Sequence, residues 1–419
     1  MAAIVNNDVL ALQLEKVRDK LPLMYERDNV FFAKVKSKGD KVSSRNMRIP
    51  LQLRPGGRPG LYSPDGGAMG RGTGTKYDVA QVTPVHLKFA VEINKLVELA
   101  TNSDEKAIED AVKKETKNAM AQFRAFIDKL SQQSNTGQLG TISAGAGTTT
   151  WTLAASNFNV DSRFHVGQGL TVFNSALTAT RAGTPIVQQI IEGSSQIVID
   201  VDPTTSANDV ICIEGSTASA GSITSTALFG IPYHQNNANS GTWLSLNRAN
   251  YPEVYTPTVN ASSGSLAWSY IRQAVNKIRI ALGADAASGL TAYMHLSQAH
   301  AYEDLLLSVT NIEKSGRKSV DLGFDDVETM AGVPVLLSIN ADKTRIDFLS
   351  FESWGRAIMQ DVDYYTPPGS DQKIFFPVDS TTGSPVAAAL YYLTTSFQFF
   401  VDNPRRGSYI SSLAVPSGY

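Results

Sequence analysis

The sequence predicts an α+β protein that carries a separate, inserted β-rich module. Three observations lead to this fold class. An uninterrupted amphipathic pattern runs from Ser103 to about Gln133, which is typical of one long helix. Alternating apolar and polar residues flank a glycine-rich stretch at 55–75, as in paired strands. Short strand patterns recur at regular spacing in residues 137–222, where Gly, Ser, Thr and Ala are frequent.

The N-terminal 36 residues read as an arm. Apolar and charged residues after Asn7 predict a short helix that ends at Pro22, because proline interrupts helical hydrogen bonding. The run from Leu23 to Phe32 is rich in large apolar side chains but too short to bury them by itself. We expect it to pack on the core of its own subunit, with a neighbouring subunit as the alternative.

A long hairpin is predicted for residues 37–94. Its first strand places four apolar residues on one face: Met47, Ile49, Leu51 and Leu53. Pro50 predicts an edge position for this strand, and Val85–Ile93 is predicted as its partner. Gly and Pro dominate residues 55–75, which predicts a flexible tip. No neighbouring segment would cover the apolar face, so we expect it to lie on another subunit.

The glycine-rich tip superficially resembles a phosphate-binding loop at Gly70–Lys76. The spacing of that motif fails, because no Gly-Lys-Ser/Thr follows four intervening residues. A strand rather than a helix follows, so no helix N-terminus would face a phosphate. We predict neither nucleotide binding nor any cofactor.

The long helix has recognisable ends. Ser103 is a suitable N-cap, and Asp104 and Glu105 place negative charge in the first turn. Ser134, Asn135 and Gly137 end it. About 30 residues span about 45 Å, which suits an elongated plate better than a sphere.

Residues 137–222 are predicted to form a small β-sandwich or barrel. The predicted strands are Thr150–Leu153, Leu170–Phe173, Ile186–Ile191, Gln196–Val201 and Val210–Ile213. Four aspartates in this region lack the spacing of a calcium loop and are interpreted as turn and surface carboxylates. They are Asp161, Asp200, Asp202 and Asp209.

Residues 223–370 predict a sheet flanked by helices, because helix and strand patterns alternate. The helices are predicted at Leu266–Leu282 and Ser297–Val309, and the strands at Leu290–His295, Val333–Ser338 and Ile346–Phe351. A long apolar strand at Val386–Val401 is expected to return to the layer of the long helix, followed by a polar tail. That return would make the helix domain discontinuous.

Composition excludes several classes of function. The net charge is −2 and no run of Lys and Arg occurs, so a basic nucleic-acid-binding arm is not predicted. Charged residues are only 18%, which suggests surface buried between subunits. Cys212 is the single cysteine and is interpreted as a small buried strand residue. No signal peptide or membrane span is predicted, so we expect a soluble protein of a reducing cytoplasm.

His295, His300 and Glu303 come nearest to a metal cluster. The five-residue spacing of the histidines puts their rings on different helix faces, unlike the i, i+4 pair of zinc enzymes. Ordinary surface or core histidines are the favoured interpretation, and no metal site is predicted.

The order of these parts resembles the major capsid proteins of tailed double-stranded DNA bacteriophages, with the Hong Kong ninety-seven-type fold. Leu23–Asp28 before the hairpin and Phe399–Arg405 near the end match that family in local texture. In these terms, residues 1–36 resemble the N-arm, 37–94 the extended hairpin loop, 95–136 with 371–419 the peripheral domain and its spine helix, 137–222 an inserted β domain, and 223–370 the axial domain.

The resemblance implies a structural, non-catalytic protein that assembles with itself into pentamers and hexamers of an icosahedral head shell around double-stranded DNA. It implies location in the virion capsid, assembly in the host cytoplasm, and contacts with DNA that are not sequence-specific. Portal protein and a decoration protein are implied partners. Because no leader of about 100 residues precedes the arm, the resemblance implies a separate scaffolding protein, or none, rather than a cleaved internal one. Covalent Lys–Asn cross-linking is not carried over, because Lys76 is the only lysine near the hairpin tip.

The hairpin supplies the predicted contacts between subunits. Its arginines are candidates for intersubunit ion pairs, with solvated side chains worth under about 1 kcal/mol each as the alternative. These arginines are Arg48, Arg54, Arg58 and Arg71. The apolar candidates are Met47, Ile49, Leu51 and Leu53.

Two other functions remain as alternatives. A hydrolase with an accessory β module would need a nucleophile motif or paired carboxylates, and no GxSxG, HExxH or GK[ST] pattern occurs. Asp325, Asp326 and Glu328 are interpreted as a turn. A tail tube or decoration protein is the other alternative, against which the long helix argues. We expect the inserted module to face outward, where space is free.

Overall fold

The computed structural model describes residues 29–38, 42, 45–61, 65, 70–94, 105–219, 221–224, 227–309, 329–378, 386 and 388–419. The predicted helix after Asn7, the run Leu23–Asp28 and the turn at 325–328 lie outside these residues. The chain forms two compact units. The first contains Met1–Asn29, His86–Ile127 and Ile358–Phe397, and the second contains Val30–Val85, Asp128–Ala357 and Gln398–Tyr419.

The described helices and strands follow in chain order. They are α1 (Val30–Lys34), β1 (Met47–Arg54), β2 (Lys76–Val82), β3 (Val85–Asn94), α2 (Glu105–Ser131), β4 (Gln138–Ala144), β5 (Thr150–Leu153), β6 (Leu170–Phe173), β7 (Val187–Ile191), β8 (Gln196–Ile199), β9 (Val210–Ile213), β10 (Ala218–Ser219), β11 (Ser222–Ile223), α3 (Ile231–His234), β12 (Thr242–Trp243), β13 (Leu246–Asn247), β14 (Thr258–Asn260), α4 (Trp268–Leu282), β15 (Leu290–Met294), α5 (Leu296–Val309), β16 (Thr329–Met330), β17 (Val333–Leu337), β18 (Ile346–Ser350), β19 (Trp354–Tyr364), β20 (Ala388–Val401) and β21 (Ser408–Ser411).

The first unit combines most of α2 with a three-stranded sheet in the order β19-β20-β3. Helix α2 begins and ends within two residues of the predicted range. The rings of Phe89 and Phe123 pack with centroids 5.6 Å apart. Strand β20 begins two residues later than predicted, and most of it shares this unit with the long helix.

The predicted pairing of the hairpin strands is wrong. Strand β1 pairs antiparallel with β2, from Met47 opposite Val82 to Arg54 opposite Lys76. Strand β3, the predicted partner, belongs instead to the sheet with β19 and β20. Pro84 lies between β2 and β3 and cannot donate a ladder hydrogen bond, so it separates the two strands.

The inserted module is a closed β-barrel. Its six strands are ordered β6-β9-β4-β5-β8-β7, and every pair is antiparallel. Gly169 bridges Ile186, and the Val187 amide donates to the Gln168 carbonyl at 3.0 Å, which joins the two end strands. Its interior is filled by apolar side chains, including Leu139, Ile142, Trp151, Phe164, Val172, Ile197 and Ile211. The predicted small β-sandwich or barrel is therefore a barrel.

A second six-stranded sheet has the order β14-β21-β18-β15-β17-β16. Helices α4 and α5 flank it, and both begin within two residues of their predicted starts. Its core contains Ile271, Ala292 and Phe348, all fully buried. Strand β21 corrects the interpretation of the C-terminal tail as polar: Ile410 is buried and pairs with both Ile346 and Val259.

The end of the predicted arm packs on its own chain. Phe31 is 0% exposed and is surrounded by the rings of Tyr293, Trp354 and Phe399, with centroids 5.1 to 6.0 Å away. The amide of Phe32 donates to the buried carboxylate of Asp128 at 2.8 Å. The predicted packing of this apolar run on its own subunit is confirmed for Phe31 and Phe32.

Candidate functional site: the hairpin and its base

The β1–β2 hairpin has one half-buried and one exposed face. Four apolar side chains of β1 are half-buried: Met47, Ile49, Leu51 and Leu53. Across the ladder, Val82 and Ala80 are 0% exposed. The opposite face exposes Tyr77 at 67% and Val79 at 44%. The apolar face is thus partly covered within its own chain, whereas the sequence predicted cover only from another subunit.

Beyond the paired strands, the hairpin narrows into a neck. The Gly57 amide donates to the Thr73 carbonyl at 2.8 Å, and the Thr73 hydroxyl donates to the Gly57 carbonyl at 3.2 Å. A Cβ atom at Gly56 would lie 2.6 Å from the Thr73 carbonyl oxygen, which no side chain tolerates. The glycine is therefore required by the close approach of two backbones.

The base of the hairpin is attached to residues 242–255 of the same chain. The Gln81 amide donates to the Leu244 carbonyl at 2.9 Å. Leu244 and Ser245 both have positive φ, 46° and 70°, and form the two-residue turn between β12 and β13. This conformation is unfavourable for residues other than glycine, so surrounding contacts must hold the turn. One of them is the Tyr233 hydroxyl, which accepts from the Leu244 amide at 2.9 Å.

A second attachment, which we call the latch, joins Tyr251 and Glu253 to the tip-ward half of the strands. The Tyr251 hydroxyl donates to the Asp78 carboxylate, and the Arg54 guanidinium donates to the Glu253 carboxylate. The Lys76 ammonium lies 4.5 Å from the centroid of the Tyr251 ring, within the range of a cation–π contact. The latch therefore binds both strands of the hairpin.

Electrostatics favour the charged forms of the latch carboxylates. The hydrogen bond from Tyr251 lowers the pKa of Asp78 below its ordinary value. Burial alone would raise the pKa of Glu253, but the hydrogen bond and charge of Arg54 outweigh burial and lower it. Both carboxylates thus stay ionised at neutral pH.

The segment that carries the latch rests on buried polar groups. Arg248 is 2% exposed, and its guanidinium donates to the carbonyls of Tyr233 at 2.8 Å and Asn236 at 3.2 Å. The Trp243 indole donates to Nδ1 of His234 at 3.2 Å. Since that nitrogen accepts, Nε2 of the neutral imidazole donates to the Phe399 carbonyl at 3.2 Å. Burial lowers the pKa of His234 to about 3, which keeps the ring neutral.

The predicted intersubunit residues occupy different settings. Arg48, Arg58 and Arg71 are exposed. Arg54 is already paired with Glu253 of its own chain. The latch residues Tyr251 and Glu253 carried no local signal in the sequence, because they lie 173 and 199 residues from their partners.

The histidines considered for metal binding lie in different settings. His295 is buried and bonds the Ser297 hydroxyl at 2.9 Å, whereas His300 is 46% exposed. Among the described residues, no cluster of His, Cys, Asp and Glu could hold a metal ion. Cys212 lies buried in β9, where burial raises the pKa of its thiol to about 12. The interpretation of Cys212 as a small strand residue is confirmed.

Three of the four aspartates of the barrel accept hydrogen bonds from other protein groups, and the fourth, Asp161, is exposed. Asp202 accepts from the Trp151 indole at 3.2 Å, and Asp200 accepts from the Ile186 amide at 2.8 Å. Asp209 forms a two-pronged ion pair with Arg181, at 2.8 and 3.1 Å. Asp209 also accepts from the Ser206 amide at 2.8 Å, which confirms its interpretation as a turn carboxylate, although it is only 1% exposed. No described helix is both long and apolar enough to cross a membrane.

Comparison with known proteins decides the fold. No family model and no curated protein matches the sequence. A chain of the cyanophage A-1(L) capsid asymmetric unit matches with a TM-score of 0.59 at 11% identity, covering 96% of this chain and 98% of that one. This chain has a phage capsid fold. The predicted α+β capsid fold is confirmed.

Two further capsid structures are similar at lower scores. The capsid of a native GTA particle matches with a TM-score of 0.49 at 12% identity, covering 99% of both chains. The capsid of Myoviridae phage XM1 matches with a TM-score of 0.44 at 9% identity, covering 96% of this chain and 98% of that chain.

Proposed function

We propose that this chain is a major capsid protein. It is a structural, non-catalytic subunit that assembles into pentamers and hexamers of an icosahedral head shell enclosing double-stranded DNA. The observation that carries the proposal is the capsid fold over 96% of the chain. A shell needs many weak contacts that add up, and the hairpin offers such a contact.

The charges of the hairpin support contact with a second subunit. Exposed cations outnumber exposed carboxylates on it. The cations are Arg48, Arg58, Arg71 and Lys76, and the carboxylate is Asp65. A second copy offers exposed carboxylates at Asp361, Asp363 and Asp371. Opposite charges on two meeting surfaces set their register and speed their encounter.

Apolar groups support the same contact. The exposed hairpin face carries Tyr77 and Val79, which lie uncovered in the single chain. Ile374 and Phe376, which follow Asp371 in the sequence, are 51% and 65% exposed. Exposed apolar side chains rimmed by charge are typical of protein–protein contacts.

We propose the virion capsid as the location of the protein, after assembly in the host cytoplasm. The near-neutral charge fits DNA that fills the shell without being condensed by basic arms. Portal protein and a separate scaffolding protein are proposed partners during assembly, and a decoration protein is a proposed partner of the finished shell.

Electron microscopy of the purified full chain, with size-exclusion chromatography, tests the proposal. We expect closed shells, or rings of five and six subunits. A compact monomer at all concentrations would contradict a shell role and favour the hydrolase. Tubes would favour a tail protein.

A further inference from the structure

We propose that Tyr251 and Glu253 are positioning residues that fix the direction in which the hairpin leaves its own subunit, and so the angle at which it meets the next. This inference rests on the proposed shell function. It is carried by the latch geometry, in which one short segment binds both strands of the hairpin.

The direction of a two-stranded hairpin depends on how it is attached. Within the described part of the chain, β1 and β2 form a sheet of their own. The bond from Gln81 to Leu244 lies near the body end of the ladder. A single attachment of this kind leaves the hairpin free to pivot about its base.

The latch supplies a second attachment farther along the strands. Asp78 lies three residues from Gln81, and the Lys76–Arg54 pair lies five residues away, so the two attachments are about 10 to 17 Å apart. Two separated attachments define a direction. Because Asp78 and Lys76 lie on β2 and Arg54 on β1, the latch also opposes rotation about the strand axis.

The latch segment is held by its own subunit. The Arg405 guanidinium donates to the Pro252 carbonyl at 3.1 Å, and the Tyr255 hydroxyl donates to the Arg248 carbonyl at 2.9 Å. Val254, between the two, is 2% exposed. The hairpin is therefore fastened to a fixed support.

The latch can open without unfolding the subunit. The side chain of Arg54 is 47% exposed and that of Glu253 is 19% exposed. Pairs with one side chain in solvent contribute little to stability. Their removal should change the angle of the hairpin and leave the core intact.

Distance measurement between two spin labels tests the positioning role in the unassembled full chain. Labels are placed at Gln52→Cys on β1 and Ile280→Cys on α4, which are both exposed. The native Cys212 is buried and stays unlabelled. We expect a narrow distance distribution in the parent and a distribution at least twice as wide in Tyr251→Phe and Glu253→Gln.

Matched controls separate positioning from general damage. Tyr302→Phe removes a hydroxyl on α5 that donates to the Thr329 carbonyl at 3.4 Å and belongs neither to the hairpin nor to the latch segment. Glu352→Gln removes a carboxylate paired with Arg406 at 3.7 Å. Both should keep the narrow distribution. The exchanged pair Arg54→Glu with Glu253→Arg should restore it, which a purely steric role would not produce.

The outcomes are distinct. Latch variants with the parent's distance distribution overturn the positioning role. Latch variants with a widened distribution that still form shells of the parent's uniform diameter overturn the link to the intersubunit angle. A parent with a narrow distribution that forms no shells refutes the proposed function and leaves the positioning of the hairpin standing.

Discussion

Phe31 ties the described end of the arm to the protein through ring contacts with three separate parts of the chain. These rings belong to Tyr293 on β15, Trp354 on β19 and Phe399 on β20. An aromatic side chain buried this completely contributes several kcal/mol. A single residue therefore joins elements that lie far apart in sequence.

Phe31→Ala should lower the free energy of unfolding by about 3 to 5 kcal/mol, because it removes a fully buried ring and leaves a cavity. Urea unfolding of the full chain measures the loss. Phe376→Ala, at a 65% exposed ring, should change stability by less than about 0.5 kcal/mol. Equal effects of the two variants would show that burial of the Phe31 ring does not stabilise the protein.

Two buried histidines and one half-buried histidine should make the protein lose stability in mild acid. Burial lowers the pKa of His234 to about 3 and those of His165 and His295 to about 4, from 6.5 in the unfolded chain. Below pH 6.5 the unfolded state binds protons that the folded state does not. The stabilisation is therefore complete above pH 6.5 and is lost as pH falls towards 4, by up to about 1.4 kcal/mol per pH unit per group.

Urea unfolding between pH 7 and pH 4.5 tests this dependence. His234→Gln should destabilise the chain at every pH and make the pH dependence shallower by about one proton. A parental slope that does not change on removal of His234 would assign the acid sensitivity to other groups.

At the scale of the element, the hairpin neck depends on one glycine. Gly56→Ala would push a methyl group against the Thr73 carbonyl and break the backbone bonds of the neck. Amide hydrogen exchange at residues 54–57 and 73–76 should accelerate at least tenfold. Gly60→Ala is the matched control, because open space surrounds its Cβ position. Similar exchange in the two variants would show that the neck tolerates the methyl group.

The long elements were predictable from the sequence for a physical reason. Helix α4 buries one face, and the apolar residues of both α4 and α2 recur at the helical period over many turns. The barrel strands were recognisable because short strand patterns recur at regular spacing between turn clusters. A hydrophobic pattern that repeats over many residues stays recognisable even where single residues depart from it.

Strand β2 was not predicted, because its apolar pattern marks the wrong face of the strand as buried. Its larger apolar residues, Tyr77 and Val79, are exposed, while Asp78 and Ala80 face inward. Strand β3 has the cleaner alternation and was therefore paired with β1 in its place. The latch gave no local signal in the sequence, because its partner side chains are 173 and 199 residues apart along the chain.

For the whole molecule, the exposed hairpin arginines should govern the rate of assembly. The double variant Arg48→Glu with Arg71→Glu reverses two charges that we propose face an acidic surface of a second copy. Shell formation followed by light scattering should slow at least tenfold at low salt, and less at high salt, where charges are screened.

Reversal of two other exposed arginines controls for net charge. Arg272→Glu with Arg279→Glu changes the total charge equally, at exposed positions on α4 rather than on the hairpin. This variant should assemble at the parental rate. If both pairs slow assembly alike, net charge rather than a hairpin contact sets the rate.

The chain enters and leaves the closed barrel at adjacent positions. Gln138 on its first strand lies opposite Cys212 on its last, and the Ile213 amide donates to the Gly137 carbonyl at 3.0 Å. A segment whose two ends already touch can be exchanged as a cassette. A short linker that joins Gly137 to Glu214 could replace the barrel. A foreign domain with adjacent termini could also be inserted between these two residues, which would keep their positions.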